Sequence, residues 1–216
     1  MRNRLLMLLL AAVCLLAAAS EAYAGEVVQE FSWKALKESG ELAAGQYIAP
    51  GTLPQKPFAG LKIENSNNAS LEVELLALRD PAITTNRYAL TGQVKYQGVA
   101  GRGYLEMMNH FQKGRYFTKT LAESGPMQYF TGNSGWRPVV LPFSFRQDSG
   151  TPEKITLRLI LPEAGTVYLS NLKLMQYKQG ENPLAAAMPG VWWNARSAGY
   201  IGGISGALIG ILGALI

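Results

Sequence analysis

The sequence of 216 residues holds one histidine, His110, and its neighbours suggest a binding surface. Leu105, Met107, Asn109 and Phe111 alternate with Tyr104, Glu106, Met108 and His110. Side chains of an extended strand alternate between its faces, so the second set shares one face. Arg115 follows soon after the next turn. A sugar site needs an aromatic plane against the C–H face of the ring and polar groups for the hydroxyls. Tyr104, Glu106, His110 and Arg115 would supply both. The same residues would also serve as ordinary, partly buried sheet pairs. Trp136, after Gly132-Asn133-Ser134-Gly135, is another candidate platform, or else a plug at the end of a sandwich. Glu72 and Glu74 lie on one face of a strand, nearly 7 Å apart at about 3.4 Å per residue. Paired carboxylates can run glycoside hydrolysis. Catalytic pairs flank a cleft from different strands, so a solvated outer face is the expectation here.

Other chemistries are poorly served. The only cysteine, Cys14, lies in an apolar N-terminal stretch, and the two aspartates are Asp80 and Asp148. This removes a disulfide framework and a cysteine zinc site, and it argues against a Ser-His-Asp triad. No metal site is expected. A calcium ion held mainly by backbone carbonyls would leave little trace in a sequence, and no other cofactor is implied. The net charge is +5, without a run of Lys or Arg and without an aromatic-interleaved basic stripe, so no nucleic-acid partner is expected.

The elements that must position these residues read as strands. Alternating apolar residues mark Leu71 to Leu78, Tyr88 to Tyr96 and Leu105 to Phe111. Further strands are predicted over 115–121, 138–145, 154–161 and 166–177, with turn signals such as Asp80-Pro81, Gly98 to Gly103 and Gly125-Pro126 between them. Seven or eight such strands without helical runs between them predict an all-β, antiparallel β-sandwich, a jelly roll, over residues 25–178. Val167 and Leu169 are out of phase with Leu172 and Leu174, which predicts a bulge at Ser170-Asn171. A short helix is expected over 31–39, with Ser32 as N-cap, Gly40 past its end and Trp33 as a core anchor.

The two ends suggest a location. Residues 1–24 have the form of a secretory signal peptide: Arg2 and Arg4, an apolar run from Leu5 to Ala19, then Ala22-Tyr23-Ala24 before Gly25. Residues 179–196 read as a linker. Residues 197–216 are uncharged and, as a helix of roughly 30 Å, would span a bilayer. Gly202, Gly206 and Gly210 recur every four residues, a spacing that lets two helices approach in lipid. These features predict an exported, membrane-anchored protein with its domain outside the cytoplasm, in a bacterial cell envelope, and with possible self-pairing through that stripe.

The ending from Thr166 to Tyr177, the stretch Tyr88 to Phe111 and the strand from Trp136 to Phe143 resemble galactose-binding-like jelly rolls, a fold many carbohydrate-binding modules share. The resemblance covers roughly residues 60–178, is carried by shape without an invariant motif, and implies sugar or envelope-ligand binding. The expectation is a non-enzymatic sandwich that binds carbohydrate or another envelope component. The alternative is a structural or protein-interaction domain of a membrane-tethered assembly.

Overall fold

The computed structural model describes residues 25–52, 59–146 and 150–185. The signal-peptide and membrane-segment assignments, with Gly202, Gly206 and Gly210, lie outside the described residues, as does the linker beyond residue 185. No helix among the described residues is long and apolar enough to cross a membrane.

The described residues form nine strands and one short helix. In order these are β1 (Glu26–Glu30), α1 (Trp33–Glu38), β2 (Gln46–Ile48), β3 (Gly60–Asn65), β4 (Leu71–Arg79) and β5 (Arg87–Phe111). β6 (Gly114–Lys119), β7 (Phe130–Ser144), β8 (Lys154–Leu161) and β9 (Gly165–Gln176) follow. All strand pairing is antiparallel. The first sheet runs β2–β3–β9–β5–β7, with β1 also on β9. The second runs β4–β8–β5–β6.

Strand β5 belongs to both sheets. Two strands were expected here, separated by a turn at Gly98 to Gly103. Instead the 25-residue strand bends through that stretch, where its register with β7 slips. Gly98 and Gly101 take φ of 58° and 68°, a left-handed conformation that a Cβ would strain. Gly165 lies against the same bend: a Cβ there would sit 2.8 Å from Val99 Cα. The glycines read as a turn signal thus turn a corner within one strand.

Both inner faces feed one core. β5 supplies Tyr88, Leu90, Val94 and Tyr96 from its first half and Leu105 and Met107 from its second. Leu157 and Leu159 of β8 and Leu169 and Leu174 of β9 pack with them, and Trp33 anchors α1 in the same cluster. Ser32 caps α1 by accepting from Ala35 N–H, as the Ser-first pattern requires. The Tyr88 hydroxyl donates to Asn109 Oδ1 at 2.7 Å, and Asn109 Nδ2 donates to the Tyr116 carbonyl. This buried relay links the two halves of β5, and burial pushes the Tyr88 phenol well above its ordinary range.

The expected bulge in β9 is present. Thr91 pairs with Lys173 and Gln93 with Ser170, so one extra residue is accommodated, and Asn171 takes φ of 50°. A second bulge in β4 buries Leu75 and Leu76 together. It restores the alternation that leaves Glu72, Glu74, Ala77 and Arg79 on the outer side.

Candidate binding face of the second sheet

Cross-strand register arranges the outward side chains of the second sheet in rows. Residues directly opposite in a sheet share a face, so each row can be read across β6, β5, β8 and β4. Tyr104, Ile160 and Glu72 form one row; the next is Lys119, Glu106, Arg158 and Glu74. Phe117, Met108, Thr156 and Ala77 follow, and then Arg115, His110, Lys154 and Arg79.

Three kinds of chemistry lie side by side. The second row is a ladder of opposite charges. Glu106, only 5% exposed, accepts from Lys119 Nζ at 3.0 Å and from Arg158 Nη1 at 3.1 Å. Arg158 also pairs with Glu72. A buried carboxylate is costly unless paired, so the two cations hold Glu106 in place and it holds them. The Glu106 carboxylate holds the Lys119 ammonium charged above the usual lysine range.

The third row is an apolar strip. Phe117 is 59% exposed, a large ring open to solvent, with Met108 beside it on β5. The Lys119 ammonium lies 4.7 Å from the centroid of the Phe117 ring and 5.2 Å from that of Tyr104. One cation therefore sits between two aromatic planes. The fourth row is cationic. The His110 imidazole lies below its ordinary range through desolvation and through the charges of Lys154 and Arg115, with Glu74 opposing.

The structure thus brings Tyr104, Glu106, His110 and Arg115 onto one face. Trp136 does not join them. It lies on β7 in the first sheet, next to the irregularity between Arg137 and Ser134. Its strand continues through Gly132 to Gly135, glycines that the sequence offered as a turn signal, so Trp136 does not start a strand. Phe117, Lys119 and Arg158 escaped notice in the sequence. Phe117 and Lys119 share the strand phase of Arg115, which was the available signal.

Glu72 and Glu74 are exposed on the outer face, and Glu72 is engaged by Arg158. Among the described residues no three His, Cys, Asp or Glu side chains come together as a metal site would require. Concavities also lie elsewhere among the described residues. A groove of about 270 Å³ on the outer side of the first sheet is lined by Thr91, Gln93, Pro138, Asn171, Lys173 and Tyr177. Its one ring, Tyr177, is buried, so no aromatic plane is open there. A cleft of about 980 Å³ lies at the strand ends around Thr84, Arg87, Ser144, Arg146 and Lys178. Two of its polar side chains, Thr84 and Asn86, are already committed to Gln176 and to the Phe145 carbonyl.

No protein-family model and no curated protein matches the sequence. Solved structures similar to it include carbohydrate-binding modules of β-sandwich form. The CBM22-1 xylan-binding domain from Paenibacillus barcinonensis is 13% identical, with a TM-score of 0.40 over 74% of this chain and 99% of that one. A family 30 carbohydrate-binding module of a cellulosomal cellulase of Clostridium thermocellum is 14% identical, with a TM-score of 0.44 over 73% and 96%. A family 61 module solved with β-1,4-galactotriose is 10% identical, with a TM-score of 0.41 over 69% and 99%. A likeness of this size names neither a ligand nor a site for this chain.

Proposed function

We propose that this protein is a non-enzymatic carbohydrate-binding domain whose ligand lies on the outer face of the second sheet. One observation carries the reading: the open Phe117 ring and Met108 lie beside a ladder of charged groups whose positions are fixed by mutual pairing. An apolar plane with rigid polar neighbours matches the two sides of a pyranose, the C–H face and the hydroxyl rim. Fixed polar groups also lose little freedom when a ligand arrives. Binding fits this face better than hydrolysis. Both oxygens of Glu106 are already engaged by cations, which leaves neither poised to give a proton to a glycosidic oxygen.

The same proposal places the protein outside the cytoplasm, held at a membrane by residues 197–216 and able to self-pair through Gly202, Gly206 and Gly210. Its support is the sequence pattern of the two ends.

The test is an oligosaccharide array probed with the full chain and with Phe117→Ala. Phe117 is exposed, so its loss should leave the melting temperature nearly unchanged. Affinity for the bound glycans should fall about tenfold or more, the scale of losing one buried aromatic anchor. Absence of binding to any glycan would favour the protein-interaction alternative. Binding untouched by Phe117→Ala would move the site off this face.

A further inference from the structure

The fourth row of the outer face gathers cationic side chains with no carboxylate among them. Arg115, His110, Lys154 and Arg79 stand directly opposite one another across all four strands. At about 4.8 Å between strands the row extends roughly 14 Å. Like charges directly opposite one another destabilise a sheet. Several other sheet cations are matched by carboxylates: Lys62 by Glu64, Lys173 by Glu30, and Lys119 and Arg158 by Glu106. Lys95 faces the Tyr168 ring and Arg137 donates to backbone carbonyls. Among the described residues no carboxylate forms an ion pair with any member of this row. Asp80 and Glu153, the neighbours of Arg79 and Lys154 along the chain, do not pair with them.

We propose that this row receives the acidic group of the glycan, a carboxylate, sulfate or phosphate, while the sugar ring lies on Phe117 and Met108. The proposal rests on the sugar-binding reading of the same face and names its ligand class. Arg115 and Arg79 offer planar forks suited to an oxyanion, and Lys154, half-buried between strands, offers a point charge. An anion here would offset a repulsion that the free protein leaves standing.

His110 gives the row a pH response. The charged groups acting on it are Arg115 from β6, Lys154 from β8 and Glu74 from β4, with Arg79 at the far end of the row. In the free protein the two cations disfavour its protonation. A bound anion reverses that balance, so proton uptake and anion binding assist each other, and binding strengthens as pH falls through the imidazole range.

The experiment uses the untagged full chain, whose single histidine yields one ring signal in NMR. The probes are a galacturonate oligomer, a sulfated galactan oligomer and a neutral galactan oligomer of matched length. An acidic probe should bind about tenfold tighter than the neutral one and raise the His110 pKa. Whichever acidic probe does so identifies carboxylate or sulfate as the group recognised. Lys154→Gln and Arg115→Gln should each weaken acidic-probe binding about tenfold, as loss of a charge-assisted contact does, and weaken neutral-probe binding far less. Arg115 is exposed, so its variant stays informative should Lys154→Gln unfold. Equal binding of neutral and acidic probes would overturn the inference and leave the sugar-binding reading standing. Acidic binding that ignores both variants and leaves His110 unmoved would mean a diffuse polyanion attraction, and would overturn it as well. Failure of every probe would overturn the inference, and the oligosaccharide array would then decide the sugar-binding reading separately.

Discussion

Leu157→Ala should lower the unfolding free energy by about 2–5 kcal/mol, read from the denaturant midpoint at unchanged slope. Leu157 is fully buried at the centre of β8, the strand between β4 and β5. Its register partners are Leu76 on one side and Met107 on the other. Those neighbours belong to a sheet pinned on both edges, so the space left by the side chain cannot close by a local shift, and the cavity adds to the lost transfer energy. A cost below about 1 kcal/mol would mean that the two sheets do not meet there. The change lies directly beneath the charged ladder, so ligand affinity should fall only in proportion to the unfolded fraction.

Glu106→Ala should cost about 2–3 kcal/mol. Removing one partner from a buried ion pair costs about 3–5 kcal/mol, because the other charge stays behind. Here the side chains of Lys119 and Arg158 are 26% and 34% exposed, so water recovers part of that penalty. The loss should also change the alkaline limb of the stability curve. The Lys119 ammonium is held above the ordinary lysine range, mainly by its hydrogen bond to Glu106. A raised folded value means that its contribution is complete below the unfolded lysine value and is lost as pH rises through the folded one. Wild type should therefore lose stability above about pH 10.5 that Glu106→Ala has already lost. Parallel alkaline limbs in chemical denaturation would contradict this. Together the two variants separate what holds the sandwich from what shapes its surface.

Much of the fold was legible because strand alternation and turn residues act locally. β8 is found over the predicted residues 154–161, and the phase break in β9 led to a bulge at Asn171. The Ser32 cap and the buried Trp33 followed from adjacent residues alone. β1 and β2 were missed: Glu26–Glu30 buries no residue fully, and Gln46–Ile48 is three residues long, so neither carries a hydrophobic period. The unity of β5 was hidden because glycines that end one strand and glycines that bend it look alike in sequence. The site was half legible for a related reason. One strand's phase revealed that Tyr104, Glu106 and His110 share a face. Which residues of β6, β8 and β4 oppose them depends on register between segments far apart in the chain, 52 residues in the case of Glu106 and Arg158. No local pattern encodes that, so the ladder at Glu106 and the cationic row at Lys154 came only with the fold. That Trp136 stands on the other sheet from these residues was hidden for the same reason.

The central claim, that ligand lies on the outer face of the second sheet, is tested most directly through methionine methyl groups. Met108 points outward beside Phe117, and Met107, its neighbour, is buried in the core. Met175 lies on the outer side of the first sheet, in the groove with Thr91 and Lys173. With ¹³C-methyl methionine in the full chain, a titration with the glycan chosen by the array reports all three places in one spectrum. The account predicts that the Met108 methyl shifts in step with binding while Met107 and Met175 stay in place. A shift at Met175 with Met108 unmoved would put the ligand on the opposite sheet and contradict it.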